Sequence, residues 1–144
     1  MAESYVYSFA DVAVVISHPA VGQCIAQGQG LGDITIAYAN DLSAHLLSND
    51  GSVTTSKIEA PNGTVTINTT QTGNIHRFLQ KLTNYCKVAS ASEWARTTIT
   101  IRGNGFERYC TGVSPQKIPD ETLGQQAQNV AWALLAARIT NEPI

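Results

Sequence analysis

The chain has 144 residues, 43% of them hydrophobic and only 14% charged, and its formal net charge is −2. This length predicts a single domain, residues 1–144, with a core of its own. No stretch approaches the ~18 consecutive apolar residues of a membrane span, and the scattered basic residues argue against a nucleic-acid-binding patch. So low a charge content leaves much neutral surface, which favours burial against other subunits, although a neutral monomer also fits.

Charge is distributed unevenly along the chain. No Lys or Arg precedes Lys57, whereas five acidic residues do, and all nine basic residues lie from Lys57 onward. The asymmetry either arises by chance in a charge-poor chain or marks two surfaces of opposite sign that meet between copies. The first residues lack the basic start and apolar run of a signal peptide, so the three cysteines are expected to be reduced.

Two short strands are predicted at the beginning of the chain. Residues 8–17 are rich in Val and Ile and end at His18-Pro19, and residues 22–26 return from the turn. Glycines alternate over residues 28–32, but a strand pattern follows rather than a helix whose amides could bind an anion. We therefore expect a flexible turn or bulge there and no phosphate site.

A third strand and a long arm come next. Residues 33–39 alternate between apolar and polar side chains, which is typical of a half-buried strand. Residues 40–59 contain tight-turn signals, including Asn49-Asp50-Gly51-Ser52, and have few large apolar residues. They predict a hairpin arm with little core of its own.

The clearest elements are a strand over residues 64–68 and the helix after it. Beyond Gly73-Asn74, the apolar residues recur at the spacing of one helix stripe, with Thr72 placed to cap the start. His76 lies on the polar face of this helix, where we expect it to be solvated. The residues predicted to anchor the helix on the sheet are Ile75, Phe78, Leu79 and Leu82.

The last third predicts a hairpin and an ambiguous closing segment. Residues 97–102 and 106–113 form two strands around Gly103-Asn104-Gly105. The Ala- and Leu-rich residues 125–139 favour a helix by periodicity, yet Val130, Trp132 and Leu134 also suit alternate positions of a strand. Both interpretations stay open at this point.

Residue patterns for catalysis or cofactor binding are missing. The three histidines are not paired with each other or with cysteine at metal-ligand spacing. No Ser, Cys or carboxylate lies in a motif typical of a nucleophile or an acid/base pair. We expect no catalytic, metal or cofactor site and no enzymatic activity.

The order of these elements resembles a bacteriophage tail tube protein, of the small kind found in contractile-tailed phages. The similarity covers nearly the whole chain and rests on five segments: Tyr7–Val12, the glycines of residues 28–32, GTVTI at 63–67 running into NIHRFL at 74–79, TITIR at 98–102, and NVAW at 129–132. The resemblance implies a mainly β fold of two packed antiparallel sheets, as a sandwich or open barrel, with one flanking α-helix. It also implies a strand over residues 129–139.

The resemblance further implies a structural virion protein. Six copies would form a ring, and rings would stack into the tail tube around a tape-measure protein, leaving a channel for DNA during ejection. Sheath, baseplate and tail terminator proteins are candidate partners, and the protein would be made in the host cytoplasm and reside in the virion, without a membrane. The candidate lumen-facing residues are Asp11, Asp33, Thr35, Thr64, Thr66 and Asn68. The candidate inter-ring residues of the arm are Asp41, Leu42, Leu46, Asn49 and Asp50.

Two alternatives remain beside the phage tube. The tube could belong to a contractile bacteriocin or secretion system. A monomeric β-sandwich that binds a ligand or carries an enzyme site is the alternative from a different class, and it differs from both tubes because it would not form rings or filaments.

Overall fold

A computed structural model describes Ser8, residues 11–27 and residues 31–143 of the chain. The fold is mainly antiparallel β with one α-helix, which confirms the predicted fold class. The helix α1 spans Asn74–Val88, and a short 3-10 helix spans Ala91–Glu93. The strands are β1 (Ala13–His18), β2 (Gly22–Gln27), β3 (Leu31–Tyr38), β4 (Ser43–Leu47), β5 (Val53–Lys57), β6 (Gly63–Thr70), β7 (Thr97–Gly103), β8 (Phe106–Lys117) and β9 (Asn129–Pro143).

Seven of the strands form one curled sheet in the order β2-β1-β7-β8-β9-β6-β3. All its pairs are antiparallel, and β4 and β5 form a separate two-stranded hairpin. Helix α1 contacts β2 at one edge of the large sheet and β6 near the other edge. Because one helix touches both flanks, the sheet must curve around it, and the core lies between the concave face and α1.

The core follows from strict alternation along the strands. In β1 and β6 every second residue is buried, as expected when one face of a strand meets the core. Trp132 of β9 is fully buried and is the largest side chain in this core. It is surrounded by the fully buried aliphatic residues Val14, Ile16, Val65, Ile67, Leu79, Ile99, Val113 and Leu134.

The closing segment is a strand, as the family resemblance implies. The periodicity of its sequence, which favoured a helix, did not indicate this structure. Strand β9 pairs with β6 over its first half and with β8 over most of its length. Val130, Trp132, Leu134 and Ala136 face the core at alternate positions. Two neighbouring strands supply hydrogen bonds and packing that outweigh the helix preference of Ala and Leu.

Three local predictions need correction or fall outside the description. Strand β1 begins at Ala13, and Asp11 lies in a turn before it, where its N–H donates to the Ser8 carbonyl at 3.1 Å. Residues 9–10 of the predicted first strand and residues 28–30 of the glycine-rich turn are outside the described residues. Directly after these glycines, the pairing register of β3 with β6 shifts between Leu31 and Ile34.

The N-cap residue of α1 is Gly73, and no side chain caps the helix, so the prediction that Thr72 caps it is wrong. The Gly73 N–H donates to the Thr70 carbonyl at 3.0 Å, which turns the chain tightly between β6 and α1. A Cβ at position 73 would lie 2.8 Å from Thr69 Oγ1 and 3.2 Å from the Thr70 carbonyl oxygen, so the turn needs glycine. Among the described residues, no helix combines the length and hydrophobicity needed to cross a membrane.

Candidate functional site

The predicted helix stripe faces the core. Ile75, Leu79 and Leu82 are buried, and Phe78 is half-buried and packs against the same cluster. The side chains of all four residues therefore lie on the face of α1 that packs against the sheet. Thr83, on the same helix, is also buried, and its hydroxyl donates to the Leu79 carbonyl at 2.8 Å.

The expectation that His76 is solvated is wrong, because its side chain is buried against β9. The indole N–H of Trp132 donates to His76 Nδ1 at 3.0 Å, and the two rings lie 5.9 Å apart between centroids. An indole nitrogen only donates, so Nδ1 must be the acceptor and Nε2 carries the imidazole proton. That Nε2 lies 3.2 Å from Glu121 Oε1. No sequence spacing signals this pairing, since Trp132 is 56 residues away.

Hydrogen bonds at the same place hold the loop of residues 118–128 onto the end of β6 and α1. Gln80 donates to Glu121 Oε1 at 3.3 Å, next to the His76 contact. Gln71 donates through Nε2 to the Thr122 carbonyl at 2.8 Å, and its Oε1 accepts from the Gln128 N–H at 3.1 Å. The loop is exposed yet attached at both ends, so it forms a defined surface beside the helix.

A second buried histidine holds the segment between α1 and β7. The Ala20 N–H donates to His18 Nδ1 at 3.1 Å, and Nε2 then donates to the Glu93 carbonyl at 3.1 Å. The His18 ring also packs edge-on against Tyr85 with 5.7 Å between centroids. Like His76, His18 fixes a connection to the core and leaves no ring nitrogen for a substrate.

The polar sheet face is the convex face of β3, β6 and β9, and it carries five of the six lumen candidates. In register, Thr66 lies between Thr35 and Ala133, and Thr64 lies between Ala37 and Leu135. The threonines of β6 and Asn68 are half-buried, whereas Asp33 and Thr35 are exposed. Asp33 is the one charged residue of β3, β6 and the segment of β9 that pairs with β6 (Asn129–Ala136). Asp11 is not part of this face, because it precedes β1, which three strands separate from β6.

The arm of residues 40–59 extends from the sheet as the β4–β5 hairpin. Every residue of β4 and β5 is exposed, and Leu42 and Leu46 have exposed fractions of 81% and 68%. The tip turns at Gly51, whose φ of 90° favours glycine. The Ser52 N–H donates to Asp50 Oδ1 at 2.9 Å, and hydrogen bonds from the side chain and backbone of Ser52 hold the pKa of Asp50 below its ordinary value.

The described residues contain neither a cluster of metal ligands nor an activated thiol. They contain no group of three or more His, Cys, Asp and Glu side chains that could hold a metal ion. Burial raises the pKa of the Cys110 thiol to about 11, and it also raises the pKa values of Cys24 and Cys86. Thiols of this kind are protonated at neutral pH and are poor nucleophiles.

The sequence pattern of the family described as "Bacteriophage PhiTE tail tube protein" matches residues 4–142. The chain belongs to this tail tube family. It is a structural component of the phage tail rather than an enzyme, as the absence of catalytic patterns in its sequence predicts. No curated protein sequence matches the chain.

Solved structures with the same fold come from contractile injection systems. The cap that terminates the tube of the anti-feeding prophage has a TM-score of 0.65 at 9% identity, with 100% of this chain and 95% of that chain covered. A chain of the sheath–tube complex of the PVC extracellular contractile injection system has a TM-score of 0.60 at 9% identity, with 97% and 93% covered. A chain of the anti-feeding prophage baseplate has a TM-score of 0.64 at 8% identity, with 99% and 97% covered. At these identities the likeness shows the fold alone.

Proposed function

We propose that this tail tube protein forms six-membered rings that stack into a tube whose channel lets DNA pass during ejection. The observation that carries the proposal is the arm, which exposes Leu42, Leu46, Leu47 and Val53 by more than half of their surface. A monomer would leave these four side chains in water, whereas a stacked assembly buries them. The arm residues Asp41, Leu42, Leu46, Asn49 and Asp50 are therefore proposed to contact the adjacent ring.

The two sheet edges support ring formation. Among the described residues, strands β2 and β3 each pair on one side only within the large sheet, so they are its two edges. An unpaired edge is a template for pairing with another chain, and closing a sheet into a barrel removes it. Six copies that each contribute four neighbouring strands would make a continuous barrel of roughly 24 strands.

The size of such a barrel suits a channel. With strands ~4.8 Å apart and tilted by ~40°, 24 strands give a backbone diameter near ~48 Å. Side chains reduce the free diameter to roughly 38 Å, which admits duplex DNA. We propose that the polar sheet face, with Asp33, Thr35, Thr64, Thr66 and Asn68, lines this channel. Neutral side chains and a few carboxylates would not bind phosphate, so DNA could slide without sticking.

The remaining partners follow from assembly into a tail. We propose that the channel holds a tape-measure protein before ejection, and that sheath, baseplate and tail terminator proteins contact the tube. The protein would be made in the host cytoplasm and assembled there. The related structures named above are parts of a sheath–tube complex, a baseplate and a terminating cap, which fits such contacts.

Negative-stain electron microscopy and light scattering of the purified protein test the assembly. Rings or tubes with a central channel are the expected result. A monodisperse monomer at high concentration, which also fails to polymerise on seeds of tail material, would contradict the proposal and favour the monomeric β-sandwich.

A further inference from the structure

The arm and the start of α1 lie at opposite ends of one strand. The arm enters β6 at Gly63, and α1 follows the other end of β6 at Thr70. Eight residues of strand place the two ends about 23 Å apart. All β4 and β5 side chains are exposed, so the arm does not fold back onto the body of its own copy. In a stack of copies, the surface that receives the arm would therefore belong to a second copy.

The two ends carry opposite unpaired charges. In the arm, Lys57 pairs with Glu59 at 3.3 Å, and neither Asp41 nor Asp50 forms an ion pair with any residue that the structure describes. Helix α1 contains Arg77, Lys81 and Lys87 and no acidic residue. None of these three side chains has an ion-pair partner within the part of the chain that the structure describes. Arg77 lies in the first turn of α1, at the end away from the arm.

A cleft of about 350 Å³ lies beside this first turn, between the ends of β2 and β6. Thr70, Thr72 and Asn74 give it a polar lining, which suits the polar Asn49-Asp50 tip of the arm. Ile25 of β2 also lines the cleft and has an exposed fraction of 66%. It offers an apolar contact for Leu46 or Leu47, which are the large apolar residues nearest the tip in β4.

We propose that the cleft at the start of α1, with Ile25 in its lining and Arg77 in the adjoining first turn of the helix, receives the arm tip of a second copy from the next ring. The proposal rests on the stacked assembly proposed above and adds the receiving surface. Because donor and receiver are different surfaces at opposite ends of the molecule, the contact is head-to-tail and does not close on itself. Its repetition builds a stack in which every ring points the same way.

Charge reversal tests the pairing of Asp50 with Arg77. Arg77→Glu should raise the protein concentration needed for tube growth by at least about tenfold, because it puts like charges at every contact of a ring. The reversal places an acid in the first turn of a helix, which the helix dipole favours, so folding should not suffer. Lys87→Glu is the control, since it makes the same charge change in the last turn of the same helix, and its melting temperature is measured alongside because an acid there opposes the helix dipole. The double variant Arg77→Glu with Asp50→Asn should recover part of the growth, because it removes one of the two like charges and keeps the acceptor for the Ser52 N–H.

A second pair of variants tests the cleft without relying on opposite charge. Asp50→Asn keeps the acceptor for the Ser52 N–H but removes the charge, so it should weaken stacking without opening the turn. Ile25→Ser should also weaken stacking, while its melting temperature stays near that of the wild type because the side chain is mostly exposed. Rings should persist in both variants.

The possible failures are distinguishable. If the wild-type protein forms neither rings nor tubes, the proposed assembly is wrong. If wild-type tubes form and Arg77→Glu elongates equally well, or if Lys87→Glu is impaired to the same extent, the receiving surface is wrong although the assembly stands. A double variant as defective as Arg77→Glu alone would overturn the pairing with Asp50.

Discussion

The curled sheet with α1 and the arm are built on opposite principles. In the sheet, alternate side chains are fully buried, and two histidines inside it have both ring nitrogens engaged by the protein. In the arm every side chain of β4 and β5 is exposed, although two of them are leucines. The first region gains its stability within one copy. The second can gain further burial only by contact with something else, and this difference separates the residues that fold the chain from those that we propose assemble it.

The largest expected effect is the removal of a core leucine. Leu79 is fully buried in the core, so Leu79→Ala should lower the free energy of unfolding by about 2–5 kcal/mol. Leu46→Ala makes the same chemical change in the arm and should alter it by less than about 0.5 kcal/mol. Urea unfolding followed by circular dichroism measures both. A similar decrease in the free energy of unfolding for the two variants would contradict the difference between the two regions.

The aromatic residue of the helix stripe sharpens the same comparison. Complete burial of Phe78 would predict a cost of roughly 3–5 kcal/mol for Phe78→Ala. The residue is half-buried at the border of the core, so we expect a cost below that range, about 1–3 kcal/mol. A melting curve identical to that of the wild type would mean that the stripe does not anchor α1.

The hydrogen bond of the buried Trp132–His76 pair should contribute a comparable amount. Trp132→Phe keeps an aromatic ring in the core but removes the N–H that donates to His76 Nδ1. Leaving this buried acceptor unpaired should cost about 1–3 kcal/mol in chemical denaturation. His76→Phe in the Trp132→Phe background removes the orphaned acceptor, and a double-mutant cycle should then give a coupling energy of the same order. A coupling near zero would show that the hydrogen bond does not stabilise the core.

The smallest effect is expected at the loop of residues 118–128. Gln71→Ala removes the side-chain hydrogen bonds to Thr122 and Gln128, which are exposed, so global stability should fall by about 1 kcal/mol or less. Amide hydrogen exchange should nevertheless accelerate in the loop while β6 and β9 stay protected. Unchanged exchange in the loop would show that Gln71 does not hold it.

The periodicity of apolar residues along the sequence was sufficient to predict most of the sheet and the helix. It works because one face of each element meets the core, as in β6, where every second residue is buried. It was ambiguous for β9, because the strand character of an Ala- and Leu-rich segment comes from its neighbours β6 and β8. It misassigned His76, because burial there depends on a tryptophan from a distant strand. The arm was recognisable by its turns and its lack of a core pattern. The receiving surface that we propose could not be predicted, because it depends on how the two ends of β6 are arranged in space.

Shortening the arm tests the account most directly, because it separates assembly from folding in one molecule. A variant that replaces residues 47–53 with a two-residue Asn-Gly turn retains the base of the β4–β5 hairpin, closed by the Leu46–Thr54 pair. We predict a melting temperature within a few degrees of the wild type, since no buried residue is lost. Electron microscopy of the same sample should show single rings and no long tubes. Tubes of wild-type length and growth rate would contradict the account.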